Sequence, residues 1–556
     1  MFTLKKTSVF LFTILFSITL FARPIDKEEA QNIAKKYFSS GISSSLRMKS
    51  AMNFELAYTC TDIADVKNLP QSSYYYVFNI GQNNGFVIVS ADSRTKKVLG
   101  YSLTGSFDIL RIPVNLKAWL NEYANQIRFA IGNLPDVDSE TSSPLRTIRK
   151  TARQNLTVEP LLGNISYDQG KPYNDSCPAL ADVRTVTGCG ATAVAQVMKY
   201  YNWPVKGTGI KAYTSATNHF NLSADFGNTT YDWTNTLPYY SSSGTENSLQ
   251  KAAIAKLMLH VGISIKMDYN TSANGGSSSY TTDIPPALYN NFGYDAGIQI
   301  YQRKYLQYEA WENILITELD ARRPVLYRGS TADNAGHIFV CDGYDANGLF
   351  HLNWGWGGSS NGYFEISAMN PDGPGIGSGN DGYNLGHYIV TGIQKPVSGS
   401  VHASLVAIDS ISPSQRTIPR TGSVTLSIKK LMNVGAFDYL SSIMGTALIL
   451  SQNGVTIDTL LVDKEWSNNL PPNYYYSALN YDVNFKPSIP NGDYEISAFY
   501  RNEHNLFVPV LVNNSGRKYL YAKITSTTID FISDNSKPEL SLVAAPTVLL
   551  NLYENK

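Results

Sequence analysis

Thr187-Gly188-Cys189-Gly190-Ala191-Thr192-Ala193-Val194-Ala195-Gln196-Val197-Met198-Lys199-Tyr200-Tyr201-Asn202-Trp203-Pro204 reads as a helix with a cysteine in its first turn. Val194, Val197, Met198 and Tyr201 recur at helical spacing, Gly188 and Gly190 keep the backbone open around Cys189, and Pro204 stops the helix. A helix N-terminus carries roughly half a positive charge, which favours thiolate over thiol, and the thiolate is the nucleophile. Cys189 is therefore a candidate nucleophile. A lone cysteine is more often a small buried residue, so this reading depends on a partner elsewhere in the chain.

The partner lies roughly 150 residues downstream. Ala335-Gly336-His337-Ile338-Phe339-Val340-Cys341-Asp342-Gly343-Tyr344 alternates like a strand, with His337, Phe339 and Cys341 on one face. Most strand histidines are structural. Here Gly336 leaves open space beside the backbone, and the next strand carries His351-Leu352-Asn353-Trp354-Gly355-Trp356-Gly357-Gly358. A histidine base needs a group on its far nitrogen to fix tautomer and orientation, and Asn353 or Trp354 is placed to supply it. Between the two motifs the spacing predicts helices over Leu249 to Val261, Pro286 to Phe292 and Trp311 to Leu319, and a strand over Val325 to Tyr327. A Gly/Ser-rich loop, Asn270 to Ser279, separates the first two helices.

Towards the N-terminus, Lys5 and Lys6 precede an apolar run from Val9 to Phe21, and Leu20-Phe21-Ala22 offers a small residue for cleavage, the pattern of a signal peptide. A small α+β segment follows. Asp26-Lys27-Glu28-Glu29 reads as a capping box, Tyr74 to Ile80 and Phe86 to Ser90 as a hairpin around Asn83-Asn84-Gly85, and Asn115 to Ile131 as an amphipathic helix. Asp138 to Pro144 and the basic residues Arg146, Arg149, Lys150 and Arg153 form a linker, either an ordinary polar connection or a processing site. Beyond Pro396 short strands recur: Val424 to Ile428, Ala447 to Leu450, Val455 to Leu461, Tyr494 to Tyr500 and Tyr519 to Ile524. This is the pattern of one or two β-sandwich domains, and His402 and His504 within it have no catalytic partners in sequence.

The 556 residues suffice for several folded domains. Lys+Arg and Asp+Glu balance at 45 each, so no overall field draws the chain to nucleic acid or to an anionic membrane. After the leader, no run is long and apolar enough for a transmembrane segment. Cys60, Cys177, Cys189 and Cys341 are too scattered for a disulfide framework, although Cys177 and Cys341 are left open to pairing.

Gly188-Cys189-Gly190-Ala191-Thr192-Ala193, Gly336-His337-Ile338-Phe339-Val340-Cys341-Asp342-Gly343 and His351 to Gly358 together resemble the streptopain family of bacterial cysteine peptidases. The likeness runs from about Arg23 to Pro396 and includes Met267-Asp268-Tyr269 and Asn291-Phe292-Gly293-Tyr294. It implies an α+β, papain-like peptidase domain preceded by an α+β inhibitory propeptide and followed by a β-sandwich-like extension. The corresponding boundaries are 1–22 for the signal peptide, 23–153 for the propeptide, 154–396 for the peptidase and 397–556 for the β-rich region, with processing at the basic linker. The resemblance also implies Cys189 as nucleophile, His337 as base, and Gln169 with a backbone N–H as the oxyanion hole. Gly336, Gly276 and Ser277 would then contact substrate. Trp356 would orient His337, wall the cleft or simply pack, and Pro371 to Gly382 matches a mobile loop of the family.

The function so implied is that of a secreted cysteine endopeptidase made as a zymogen, with protein or peptide substrates and its own propeptide as intramolecular inhibitor. No cofactor or metal is required. The expected location is outside a bacterial cell, in its periplasm or on its surface. A different class of function is a catalytically silent binding or adhesion protein on a peptidase-like scaffold, with the β-rich region as its active part. The joint presence of Gln169, Cys189 and His337 argues against it.

Overall fold

The Cys189–Tyr201 helix forms where its residues place it, but every residue from Gly190 to Met198 is buried. The computed structural model describes residues 23–40, 51–61, 73–133, 157–241, 243–330, 336–367, 386–513 and 518–532. The expected amphipathic stripe is thus one side of a helix enclosed all round, since the Ser248–Ser264 helix packs on it from one direction and the Gly336–Tyr344 strand from another. Small residues make this possible. Ala191, Ala193 and Ala195 let neighbours approach, while Thr192 returns its hydroxyl to the Gly188 carbonyl at 3.0 Å. The helix ends at Tyr201 through a left-handed Asn202 (φ +44°), two residues before Pro204.

The central sheet is antiparallel throughout and joins two parts of the chain. Gln299–Gln302, Tyr388–Thr391, Val325–Ser330, Gly336–Tyr344, Phe350–Asn353 and Gly362–Phe364 pair in that order. The last of these then pairs with Val98–Ser102, and Phe86–Ser90, Ser73–Ile80 and Phe54–Thr61 continue the sheet. The N-terminal strands therefore do not make a separate small sheet. They cover what would otherwise be an open edge at Gly362–Phe364, with Tyr363 opposite Tyr101 and Phe364 opposite Gly100. A buried ion pair crosses the same junction, from Lys96 Nζ to the Glu365 carboxylate.

Helix Val114–Asn133 lies on one face of this sheet, contributing Leu116, Trp119, Leu120, Tyr123 and Ile127 to a core shared with Trp311, Tyr327, Phe339 and Trp354. The Cys189–Tyr201 helix belongs to a second core containing Leu326, Ile338, Val340 and Val390. Helix Lys27–Ser39 is capped by Asp26, which accepts from the Glu29 N–H at 2.8 Å. The reciprocal half of the expected capping box is not made, because the Glu29 carboxylate turns to Arg23, with Nη2 at 2.6 Å. The hairpin turn is observed, with Asn83 at φ +56° and Gly85 at φ +109°.

Residues 406–532 form two antiparallel-rich sheets around one core that includes Leu426, Ile428, Leu448, Ile496 and Ile529. The expected strands appear, lengthened to Ser423–Asn433, Thr446–Gln452, Val455–Asp463 and Gly492–Arg501, with Leu520–Ile524 one residue shorter than expected. Tyr475–Asn484 and Thr528–Ile532 join them. His402 has a packing role, stacked on Phe437 at 3.7 Å and bonded through Nδ1 to the Ala296 carbonyl at 2.9 Å. Cys177, Cys189 and Cys341 are free thiols. The leader at 1–22, the basic linker at 146–153 and the loop at 371–382 lie outside the described residues. Among those described, no helix is long and apolar enough to cross a membrane.

Candidate active site

Gly188 precedes the helix with φ +85°, and a Cβ there would stand 2.7 Å from the Met267 methyl and 3.1 Å from the Ser277 carbonyl. Only glycine fits this entry, which sets Cys189 at the first helical position. The Cys189 sulfur accepts from the Ile338 N–H at 3.5 Å. Burial pushes the thiol above its ordinary value; the N–H groups of Ile338, Gly190 and Cys189 and the Arg328 guanidinium pull it back only in part. In this structure Cys189 is therefore mostly thiol at pH 7. Its alkylation by iodoacetamide should be slower at pH 7 than that of an exposed cysteine and should climb through the alkaline range. A pH-independent rate across neutrality would contradict that expectation.

His337 occupies the other face of its strand. Ile338 and Val340 turn toward the cysteine helix, whereas Phe339 and Cys341 turn into the core of the Val114–Asn133 helix, in the expected alternation. His337 lines a small pocket with Asn115, Ala118, Trp119, Glu122, Gly329 and His387. His337 thus lines a pocket on the Val114–Asn133 side of the sheet, while the Cys189 sulfur meets the Ile338 N–H on the other. Asn115 fixes the docking of the Val114–Asn133 helix by donating from Nδ2 to the Trp354 carbonyl at 2.7 Å. Burial raises the Glu122 carboxyl to about 7 and lowers His387 to about 3, leaving His387 neutral with Nδ1 bonded to the Tyr327 hydroxyl at 2.9 Å.

Gln169 is tied to the cysteine helix through its backbone, its carbonyl accepting from the Thr187 N–H at 3.2 Å. Its side-chain amide makes no hydrogen bond to the described residues, unlike that of Asn353. Asn353 donates to the Ile165 carbonyl at 3.0 Å and accepts from the Gly355 N–H at 3.1 Å. Trp354 is fully buried, stacks 4.8 Å from Phe339 and gives its indole N–H to the Ser360 carbonyl at 3.0 Å. The single indole N–H of Trp354 is thus committed, whereas the Asn353 amide holds one bond through each of its polar atoms. Trp356 packs, half-buried, against the same core as Trp354.

Gly276 (φ +78°) and Ser277 lie in the loop facing Gly188, but the Ser277 hydroxyl is engaged with Val186 and Asn270. The serine that reaches the helix start is Ser279. Its hydroxyl lies 2.8 Å from where a Gly190 Cβ would stand and has no partner among the described residues. Ser279 was not legible in the sequence, because three serines in a row carry no distinguishing pattern. Arg328 was not legible either, nor was Asn115, which marked only a helix start, nor Trp119, whose apolar spacing spoke only for a helix.

Comparison with known proteins places two families on the chain: Peptidase C10 over residues 167–364 and Spi protease inhibitor over residues 22–127. Streptopain of Streptococcus pyogenes is 35% identical over 399 residues, covering 68% of this chain and 94% of its own length. The thiol protease/hemagglutinin PrtT of Porphyromonas gingivalis is 32% identical over 383 residues; the match takes in 67% of this chain but only 42% of PrtT. Among solved structures, a prointerpain A fragment of Prevotella intermedia is 31% identical, with TM-score 0.48 over 60% of this chain and 99% of the fragment. Active interpain A from the same organism is 34% identical, with TM-score 0.38 over 44% of this chain and 97% of that one.

Proposed function

Because the chain belongs to the streptopain, or Peptidase C10, family of cysteine peptidases, we propose that it is an exported endopeptidase made as a zymogen and that it cuts peptide bonds with Cys189 and His337. The observation that carries this reading is the placement of Cys189 at a helix N-terminus, its sulfur on the Ile338 N–H, beside a Gln169 whose amide is uncommitted among the described residues. In the processed enzyme His337 turns from its pocket to the cysteine side and takes the thiol proton. The thiolate attacks the peptide carbonyl, and the oxyanion is held by the Gln169 amide and a backbone N–H at the helix start. The C–N bond breaks as imidazolium protonates the leaving amine, and water then hydrolyses the thioester. Asn353 or Trp354 orients the imidazole in that state. Gly336, with Gly276 and Ser277 through their backbones, borders the bound peptide, and Trp356 supports the wall.

Latency follows from the same geometry. Residues 23–153 are read as the propeptide, 154–396 as the peptidase and 397–556 as the β-rich region, with 1–22 as export signal. While the propeptide is docked, Asn115 and Trp119 occupy the side of the sheet where His337 resides. Cleavage in the basic linker, near Gln154 or Asn155, removes them. Casein hydrolysis under reducing conditions tests the reading: activity should appear on processing and disappear with an irreversible thiol-directed inhibitor. A processed, folded protein that cuts nothing would refute it. Gln169→Ala should lower kcat/KM by roughly 10²–10³-fold with KM little changed, as removal of one oxyanion donor does; a loss confined to KM would assign Gln169 to ground-state binding instead.

A further inference from the structure

We propose that Arg328 is a specificity-determining residue that binds a substrate carboxylate, so that the enzyme favours an acidic side chain two positions before the cleaved bond. The inference rests on the peptidase reading and extends it to the substrate class.

Strand parity puts Arg328 in the cleft. Tyr327 turns into the core of Trp119, and Leu326 into the core of the cysteine helix, so Arg328 returns to the cysteine side. It stands opposite Ile338, whose N–H reaches the Cys189 sulfur. The missing side chain of Gly336 leaves the space that the guanidinium fills: a Cβ on Gly336 would lie 2.5 Å from Arg328 Nε and 2.6 Å from Nη2. Gly336 is the expected border of the pocket just upstream of the cleaved bond. An extended peptide advances about 3.3 Å per residue. With the attacked carbonyl at Cys189, the side chain one residue before the carbonyl's own is the one the proposal assigns to Arg328.

The guanidinium is prepared for an anion that the described residues do not supply. Nη1 donates to the Gly386 carbonyl at 2.6 Å, and Cζ lies 5.2 Å from the Tyr388 ring centroid. These contacts fix its direction. Nε and Nη2 have no acceptor, and Arg328 no carboxylate partner, among the described residues. Arg323 on the same stretch is different: Nε and Nη2 bind both oxygens of Glu318 at 2.8 and 2.7 Å. A half-buried guanidinium with two neighbouring N–H groups unused is the geometry that accepts a bidentate carboxylate. Burial disfavours its charge, and an arriving carboxylate would relieve that penalty. A purely structural clamp on Gly386 and Tyr388 would affect all substrates alike.

The test uses the full chain, expressed and processed, on fluorogenic peptides that differ only in Glu, Gln or Lys at that upstream position. Wild type should show a Glu:Gln ratio of kcat/KM of about ten, falling at high salt, as expected for one charge-assisted contact. Arg328→Gln should bring the ratio near one, Arg328→Lys should keep part of it, and Arg328→Glu should favour Lys. A wild-type ratio near one overturns the proposal even if no variant folds, and so does an unchanged ratio in Arg328→Gln. Failure to cut any peptide, with Cys189 unreactive, removes the peptidase reading itself.

Discussion

Cys189→Ala should reduce peptide hydrolysis by the processed enzyme at least about 10⁴-fold, the scale on which loss of a nucleophile from a coupled catalytic group acts. The change deletes one sulfur from a helix start whose backbone is set independently by Gly188 and by the Thr192–Gly188 hydrogen bond. The fold should therefore persist, with a thermal midpoint close to wild type. Initial rates on a fluorogenic peptide, measured beside circular dichroism melting, check both halves. Retained hydrolysis in Cys189→Ala would remove Cys189 from the chemistry. Lost hydrolysis with lost folding would leave only a structural role.

Trp119→Ala in the unprocessed chain should cost about 4 kcal/mol of stability in the unit that includes the N-terminal region, within the range for removing a buried tryptophan. Trp119 is only 4% exposed, and its ring lies 5.6 Å from Tyr327, 5.7 Å from Phe339, 5.7 Å from His387 and 6.1 Å from Trp354. Those contacts join the Val114–Asn133 helix to the strand that carries His337. On the proposed latency, loosening them should also speed processing, because Asn115 and Trp119 share a pocket with His337. Denaturant unfolding gives the stability change, and the time course of cleavage in the basic linker gives the kinetic one. A normal midpoint with unaltered processing would show that docking depends on other contacts, such as Asn115 to Trp354 or Lys96 to Glu365.

What was legible in the sequence was mainly local. The cysteine helix follows from Gly188, the alanine-rich turn and Asn202, and the face assignment of His337 follows from strand alternation. What occupies that face was not legible, because Asn115 and Trp119 are more than 200 residues away and meet His337 only through docking of an entire helix. The ten-stranded sheet was hidden for the same reason: Val98–Ser102 was not recognised as a strand, and its partner Gly362–Phe364 has three residues. In the β-rich region Tyr475–Asn484 escaped notice because neither of its faces is fully covered, so its tyrosines, asparagines and aspartate do not alternate cleanly. Arg328 lies just past the expected strand Val325 to Tyr327 and belongs to no motif. Its significance comes from Gly336 on the neighbouring strand and from the absence of a carboxylate partner among the described residues.

The most direct measurement of the central claim is active-site titration with an irreversible thiol-directed epoxide, followed by peptide mapping, on the same preparation before and after linker cleavage. Little label is expected on the unprocessed chain, where burial holds Cys189 as thiol and His337 faces the Val114–Asn133 helix. After processing, one label per chain is expected, on Cys189, appearing in step with hydrolysis. Equal labelling in both states would contradict latency, and a folded, processed chain labelled elsewhere or not at all would contradict the assignment of Cys189 as nucleophile.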